Sequence, residues 1–433
     1  MKLNYKLKKH LNITALRQSF SKIIRQVPDW RDQKKVNYSL HDIVMAAFSC
    51  MYFQCPSFLD YQKNLEKRLT TSNFHKMFDA KGIPKEGQIR NVLDQIDPKH
   101  FQAIFKHTFR HLQRSKILQH FQYNDFLPCA VDGSTYFSSK NIHCNSCLKK
   151  EHRGGDLSYS HQVLLAAAIH PDQKQAIPFF PEEISNQEQG RSKQDCELNA
   201  CRRLLNSLKA THPRIKMMIL GDGLFSKQSL IEQILEAGWQ YVLVAKSSDH
   251  KYMDDYLKGS QLEEWTVEDK KKGITHKYKW CKDVPLSGRV DAIKVNFFSY
   301  EMITKGKRPY NNQWVTGMEV NRLEVPRLVK LGRARWNIEN YCFNSLKNHG
   351  YNIKHNYGHG EKNLCFNMLL LTLIAFLFHQ VAANSDPLFQ AARTTCSSRL
   401  TFWNEIRFLV KHMVFETWEE LMLKMAPSPE QIE

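Results

Sequence analysis

Residues Leu331 to Gly360 read LGRARWNIENYCFNSLKNHGYNIKHNYGHG, and the interpretation of the whole chain is organised around this stretch. It predicts a basic helix with one acidic residue, Glu339, and with Arg335 one turn earlier on the same face. At about 100° per residue in an α-helix, Lys347 is turned roughly 80° away from Glu339. A plain ion pair between Arg335 and Glu339 explains the pattern, and an active-site carboxylate is the alternative.

Two isolated acidic residues far upstream each follow an apolar run. Asp132 follows Leu127–Val131 in AVDGST, and Asp222 follows Ile215–Leu220 in LGDGLF. Side chains at the carboxyl ends of strands face the crevice in which such sheets bind ligands. Mg²⁺ prefers hard oxygen ligands, so these two carboxylates and that of Glu339 would form a metal site. The alternative is that each Asp-Gly is an ordinary turn.

The composition is that of a folded protein with a large positive charge. Of the 433 residues, 42% are hydrophobic, and the formal net charge is +19 at pH 7, spread along the chain. We expect a nucleic-acid partner and no membrane, because no lipidation signal or terminal amphipathic anchor accompanies the charge. The start, MKLNYKLKKHLNITAL, lacks the apolar core of a signal peptide, and the eleven cysteines fit reduced thiols in the cytoplasm. The apolar run within Leu364–Gln380 is shorter than the ~20 residues that cross a bilayer, which favours a buried core helix.

Helix signals dominate residues 1–125, which we predict to be a helical DNA-binding domain. Helix caps are predicted at Asn12 or Thr14, Ser39, Ser57 and Asp97. The helix after Asp97 has a basic outer face and an apolar stripe formed by Phe101, Ile104, Phe105, Thr108 and Leu112. A short helix at Gln88–Ile96 precedes it, so the pair is either a helix-turn-helix reader of DNA or part of an ordinary bundle.

After Phe126 the pattern becomes that of an α/β domain with a mixed sheet. The predicted order is three strands, helix, strand, helix, strand, at Leu127–Val131, Val163–Ile169, Ala176–Phe180, Lys193–Lys209, Ile215–Leu220, Ser226–Ala237 with Ser226 as cap, and Tyr241–Ala245. A β-rich insertion follows, with strands at Trp265–Val267, His276–Trp280, Val290–Tyr300 and Trp314–Val320. The predicted units are the first part of a catalytic core at 126–246, the insertion at 247–327, the closing helices of the core at 328–383 and a helical C-terminal tail at 384–433.

Three further groups of residues are candidates for chemistry. Cys144 and Cys147 form one CxxC, which is half of a zinc site, with His143, His152 and His161 nearby; free thiols in a loop are the favoured interpretation. His355 and His359 lie in a polar loop and are candidates for phosphate contact or are simply loop residues. An insertion tryptophan, Trp314, Trp280 or Trp265, is a candidate for stacking an extruded base, with core packing as the alternative.

The series of Asp132, Asp222, β-rich insertion and helical Glu339 resembles the DDE transposases of bacterial insertion sequences, specifically the insertion-sequence-four-like group. The resemblance covers roughly Phe126 to Gln380. It implies a ribonuclease H-like mixed sheet flanked by helices, with the insertion before the last catalytic helix. That group marks its Glu helix with Tyr, two residues, Arg, three residues, Glu, six residues, Lys.

This signature is half met in the sequence. Arg335 and Glu339 match, whereas the Tyr position is Gly332 and the Lys position is Leu346, with Lys347 one step later. The two mismatches affect only positions whose side chains would bind phosphate. The three acidic residues are all present.

The resemblance implies a metal-dependent polynucleotidyl transferase. The reaction would be phosphodiester cleavage at transposon ends followed by attack of the 3′-hydroxyl on target DNA, with two Mg²⁺ or Mn²⁺ ions. Asp132 would bridge both ions, and Asp222 and Glu339 would each hold one. Arg335 and Lys347 are the implied phosphate contacts, and Trp314 is the candidate contact to DNA bases.

The implied partners are terminal inverted repeats and target DNA, bound by a homodimer at the nucleoid of a bacterial cytoplasm. Two other functions remain open from the sequence. One is a catalytically inactive, transposase-derived DNA-binding protein, and the other is a metal-dependent nuclease without strand transfer.

Overall fold

The computed structural model describes residues 10–186, 194–354 and 357–426. Its N-terminal part is helical, with α1 (Ile13–Ile24), α2 (Leu40–Tyr52), α3 (Phe58–Leu65), α4 (Arg68–Phe78), α5 (Glu86–Gln95) and α6 (Gln102–Arg114), and with 3₁₀ helices at Pro98–Phe101 and Ile117–Phe121. The side chains of Asn12, Ser39, Ser57 and Asp97 each accept a backbone N–H at a helix start, as predicted. The predicted apolar stripe of α6 is buried, together with Phe109.

The end of α5 is used for internal packing. Asp94 accepts backbone N–H groups from residues 361–364 at 2.9–3.1 Å, and Asn367 donates to the carbonyls of Leu93 and Ile96. Only two residues separate α5 from the following 3₁₀ helix, fewer than the three or four of a usual helix-turn-helix. This region therefore packs as an ordinary bundle, the second of the two interpretations.

One mixed sheet forms the centre of the protein. Its strands are β1 (Leu127–Ser139), β2 (Leu148–Glu151), β3 (Leu157–Ala168), β4 (Ile177–Pro178), β5 (Glu182–Ile184), β6 (Met217–Gly221), β7 (Gln240–Val244), β8 (Glu263–Asp269), β9 (Ile274–Pro285), β10 (Lys294–Thr304) and β11 (Tyr310–Thr316). The order is β2-β3-β1-β6-β7-β11-β10-β9-β8, with β4 and β5 paired to β3. β1 is antiparallel to β3 and parallel to β6, and β6 is parallel to β7. This is the ribonuclease H-like mixed sheet that was expected.

The predicted insertion is β-rich and extends the same sheet. β11 pairs antiparallel with β7, so the hairpins of the insertion continue the catalytic sheet without a break. The connecting helices are α7 (Glu197–Thr211), α8 (Gln228–Glu236) and α9 (Lys251–Lys258), of which α9 was not predicted. The predicted cap at Ser226 is wrong: its hydroxyl contacts Gly223 O at 2.8 Å and His250 Nε2 at 2.7 Å, and α8 begins after Lys227.

The chain closes with helices that cover the sheet and meet the N-terminal bundle. They are α10 (Val325–Ala334), a π-helix at Ile338–Phe343, α11 (Asn344–Asn348), α12 (Leu364–Ser385), α13 (Pro387–Thr394), α14 (Arg399–His412) and α15 (Trp418–Met425). By length and composition α12 could cross a membrane, with mean hydropathy 2.0, but 94% of its apolar window is buried inside the protein. It packs against α2 and α5, so it is the core helix that the sequence predicted.

His212 makes part of the contact between α6 and the sheet sensitive to pH. Its ring lies 5.2 Å from Phe109 and 5.1 Å from Phe179, and burial lowers the pKa of His212 to about 4. The unfolded chain binds a proton below its usual pKa of about 6.5, while the folded chain does not until about pH 4. The stability that depends on a neutral His212 is therefore fully present above about pH 6.5. It is lost as the pH falls from about 6.5 to about 4, and the loss is at most about 3 kcal/mol.

We expect His212→Phe to flatten the loss of stability between pH 7 and pH 5. Thermal unfolding of both proteins at the two pH values measures this. The variant should melt above the wild type at pH 5 and close to it at pH 7. Parallel pH profiles for the two proteins would contradict the assignment.

Candidate active site

β1 and β6 bring Asp132 and Asp222 close to each other. The two strands run parallel, and their last paired residues, Ala130 and Leu220, lie two positions before the two acids. Asp222 directly follows Gly221, the last residue of β6, and its charge acts on Asp132. Both side chains are partly buried in the crevice where open α/β sheets bind ligands.

The prediction that Asp132 ends a strand is wrong. β1 continues to Ser139, and Asp132 and Gly133 pair with Leu165 and Leu164 of β3. The antiparallel partner β3 supplies hydrogen bonds beyond the point at which β6 has ended, so Asp-Gly is extended chain and not a turn. Asp222 does follow its strand directly, and its Oδ1 accepts the N–H of Leu224 at 2.9 Å.

Glu339 reaches the same edge from the closing helices. It lies in the π-helix that packs against β1. Burial raises the pKa of Asp132, and the charges of Asp222 and Glu339 raise it further, while Arg335 and the Gly133 N–H lower it. The three acids therefore act on one another electrostatically, as groups within one site do.

Two cations pair with this acidic group. Arg335 Nη1 lies 3.5 Å from Asp132 Oδ2, and Lys347 Nζ lies 3.6 Å from Glu339 Oε1. Arg335 is buried and stacks over Trp336 at 4.6 Å. Among the described residues, Arg335 therefore pairs with Asp132 on the sheet. The ion pair between Arg335 and Glu339, which the sequence left open, is not observed in the described part of the chain.

The π-helix explains why Lys347 reaches Glu339. In this stretch hydrogen bonds join residues five apart, so each turn holds more residues than an α-helical turn. Eight residues after Glu339 the chain has returned to the same face. The expectation that Lys347 points away assumed a regular α-helix and is wrong. π-helical turns occur frequently at functional sites.

A fourth carboxylate, that of Glu197, lies beside Asp132 and Asp222 and was not predicted from the sequence. It lies in the first turn of α7, and a Cβ built on Gly133 would collide with its Oε1, so it covers that glycine directly. Burial raises the pKa of Glu197, and the charges of Asp132 and Asp222 raise it further. No spacing in the sequence marks Glu197, because its neighbours lie more than 20 residues away along the chain.

Trp314 cannot stack an extruded base in this structure, because it is fully buried. Its ring packs on Phe298 with centroids 5.3 Å apart, and its Nε1 lies 2.6 Å from where a Cβ on Gly332 would stand. The prediction of a DNA contact at Trp314 is wrong, and its alternative, core packing, is observed. The indole occupies the space beside the position at which the resembling group carries Tyr. Trp280 is also buried.

An open groove beside the site carries exposed aromatic and basic groups. It has a cavity volume of about 430 Å³ and lies between the hairpins β9–β10 and α10, lined by Tyr278, Tyr300, Lys330, Arg333 and Trp336 among others. Arg333 lies 5.6 Å over the ring of Tyr300. Trp336 is half exposed and adjoins Arg335, so the groove opens next to the acidic group.

Cys144 and Cys147 lie away from these acids in a cluster with His161 and His359. His359, a candidate for phosphate contact or an ordinary loop residue, is buried, and its Nε2 faces Cys147 Sγ at 3.4 Å. His355 lies outside the described residues. His143 and His152 are elsewhere, stacked on Tyr159 and hydrogen-bonded to Ser158.

Comparison with known families agrees with this arrangement. Residues 192–377, which include Asp222 and Glu339, match the family described as Transposase DDE domain. Residues 21–108 match the family described as DDE_Tnp_1-associated, and the two matches together span well over half of the chain. Residues 192–377 are therefore similar to the DDE domain of transposases. DDE transposases are DNA transposases, enzymes of the nuclease and transferase class, and Asp132 lies before the matched part of the DDE domain.

The solved structures similar to this chain include the piggyBac transposase in its synaptic complex with hairpin DNA. The sequence identity is 11%, the TM-score is 0.46, and the alignment covers 98% of this chain and 84% of that chain. The search of curated proteins gave no match.

Proposed function

We propose that this protein cleaves phosphodiester bonds at the ends of a DNA transposon and joins the freed 3′-hydroxyl strand to target DNA. The observation that carries the proposal is that Asp132 on β1 and Asp222 at the end of the neighbouring β6 lie next to the π-helix with Glu339. Three carboxylates at the end of a sheet, with Asp132 interacting with both others, are a suitable site for hard divalent cations.

The resemblance to DDE transposases implies two Mg²⁺ or Mn²⁺ ions at these carboxylates. Asp132, which interacts with both other acids, would contact both ions, and Asp222 and Glu339 would each hold one. Two such ions activate the attacking oxygen and stabilise the leaving oxygen of an in-line displacement.

The side chains of Arg335 and Lys347 would orient the acidic residues before DNA binds and would contact the DNA phosphates afterwards. Arg335 lies 3.5 Å from Asp132 and Lys347 lies 3.6 Å from Glu339, so each cation is close enough to the acids to contact a phosphate bound at them. Arg favours such a role because its planar guanidinium binds two oxygens at once. The groove with the half-exposed Trp336 and the partly buried Tyr278 is the surface best suited to stack an unpaired base near the cleaved end.

The contact of Lys347 favours an active enzyme over an inactive DNA-binding derivative. Leu346 stands where the insertion-sequence-four-like group has its Lys, but Lys347 reaches Glu339 all the same. We therefore infer membership of that bacterial group, with Lys347 supplying the missing cation. The net charge of +19 suits terminal repeats and target DNA as partners, bound by a homodimer in the cytoplasm.

We expect the purified protein to cut and join a labelled transposon end in the presence of Mg²⁺. Asp222→Ala and Glu339→Ala should each abolish cleavage and leave DNA binding largely intact, measured by gel assays of cleavage and of mobility shift. Asp172→Ala is the matched control, because that exposed acid pairs with Lys330 at 2.7 Å outside the acidic group. Full cleavage by either active-site variant would refute the assignment. Cleavage without joining would identify a nuclease that lacks strand transfer.

A further inference from the structure

Four metal-binding side chains from three distant parts of the chain meet in the interior. Cys144 and Cys147 lie between β1 and β2, His161 lies on β3, and His359 lies between α11 and α12. Their exposed fractions are 8%, 0%, 2% and 9% respectively. All four donor atoms lie within 4.8 Å of one another.

The distances are those of a tetrahedron around one zinc ion. Zn–S bonds of about 2.3 Å and Zn–N bonds of about 2.05 Å require edges of roughly 3.8 Å between sulfurs, roughly 3.6 Å from sulfur to nitrogen and roughly 3.3 Å between nitrogens. Cys144 Sγ and Cys147 Sγ are 3.9 Å apart, and the two Nε2 atoms are 3.2 Å apart. Three of the four sulfur–nitrogen distances are 3.6, 3.3 and 3.4 Å, and the fourth, from Cys144 to His359, is within 4.8 Å.

An acceptor oxygen on the far side of each imidazole favours a lone pair directed into the cluster. His359 Nδ1 lies 2.8 Å from the carbonyl oxygen of Gly360, which can only accept, so Nδ1 carries the proton. His161 Nδ1 faces Glu183 Oε1 at 3.3 Å, and that oxygen also accepts from Tyr136. With both Nδ1 atoms protonated, the two Nε2 atoms present lone pairs to each other at 3.2 Å, a repulsive contact unless a cation lies between them.

The backbone around His359 is shaped to turn this ring inwards. Gly358 and Gly360 have φ values of 140° and 70°, a region that side-chain-bearing residues rarely adopt. A disulfide is not the explanation of the close cysteines, because their sulfurs are 3.9 Å apart and a disulfide bond is about 2.05 Å.

We propose that Cys144, Cys147, His161 and His359 bind one structural Zn²⁺ ion. Binding releases the thiol protons and leaves four protein ligands with no open position, which is typical of a structural and not a catalytic zinc site. The carboxylate of Glu183 behind His161 is the kind of outer-shell partner that fixes a zinc-bound histidine. The ion joins the segment that follows the Glu339 helix to β3, and β3 pairs with the strand that carries Asp132.

Metal analysis of the purified full-length protein tests the proposal. We expect about one zinc per chain, and Co²⁺ substitution should give the visible absorption of tetrahedral thiolate coordination. Cys147→Ser and His359→Ala should lose the metal, whereas His359→Cys should retain it because three thiolates and one imidazole also bind zinc. Cys201→Ser is the matched control, since that buried thiol lies outside the cluster, and it should retain a full equivalent.

Chelation with 1,10-phenanthroline should lower the melting temperature by about 5–10 °C and expose residues 353–363 to protease, and added Zn²⁺ should restore both. A folded protein that contains no zinc, takes up no Co²⁺ and melts at an unchanged temperature with chelator would overturn the proposal. None of these measurements depends on DNA cleavage, so failure of the proposed function would leave the zinc site standing, and the reverse also holds.

Discussion

Asp132→Asn is expected to slow Mg²⁺-dependent DNA cleavage by at least about a thousandfold, equivalent to about 4 kcal/mol at the barrier. Asn keeps the shape of the side chain but removes the charge that would hold the metal ions between Asp222 and Glu339. Because Asp132 interacts with both other acids, no remaining carboxylate occupies its place. Single-turnover cleavage of a labelled end measures the loss.

The same substitution leaves the buried guanidinium of Arg335 without its carboxylate partner. We expect a loss of about 1–3 kcal/mol of stability, less than for a fully buried pair because Asp132 is partly exposed to water. Asp132→Asn combined with Arg335→Gln should regain stability but not cleavage. Recovery of cleavage in the double variant would mean that Asp132 only neutralises the charge of Arg335 and holds no metal.

Glu197→Gln tests whether Glu197 is itself a metal ligand or only lies beside the metal-binding acids. Glu197 acts on Asp132 and Asp222 from α7, and we expect its neutralisation to keep at least about a tenth of the cleavage rate. A loss as large as that of Asp132→Asn would make Glu197 a fourth member of the metal-binding group.

Gly332→Tyr, which restores the Tyr of the resembling group, is expected to destabilise the protein by about 3 kcal/mol or more. Even a Cβ at residue 332 would stand 2.6 Å from Trp314 Nε1 and 2.7 Å from its Cε2. The indole cannot move aside easily, because it is fully buried and stacked on Phe298. Urea unfolding of the variant measures the loss.

Gly332→Ala gives the sharper comparison. A Gly-to-Ala change within a helix usually stabilises by about 0.5–1 kcal/mol, but here it should destabilise by about 1–3 kcal/mol. Gly87→Ala is the matched control, because that helical glycine has open space around its Cβ position and should be neutral or stabilising. Equal effects at the two glycines would show that Trp314 yields. We expect Trp314→Phe to offset the destabilisation caused by Gly332→Ala. If Trp314 yields, no such offset will be measured.

Local signals in the sequence predicted the features that depend on neighbouring residues. Caps such as Ser39 and the apolar run of β6 were found because their causes lie within a few positions along the chain. The length of β1 was missed because it depends on β3, and the reach of Lys347 was missed because a π-helix has no signature in the periodicity. Glu197 and the role of His359 depend on contacts between distant segments, which one sequence does not display.

The packing of α12 on α2 also sets an order of events during synthesis. Every residue of Leu40–Tyr52 is buried, and the helix that covers it begins more than 300 residues later. At 5–20 residues per second the ribosome needs roughly 20–60 s to deliver that cover. During this interval the nascent N-terminal bundle exposes an apolar surface that chaperones must shield. A prematurely terminated product would lack this cover permanently and would keep the apolar surface exposed.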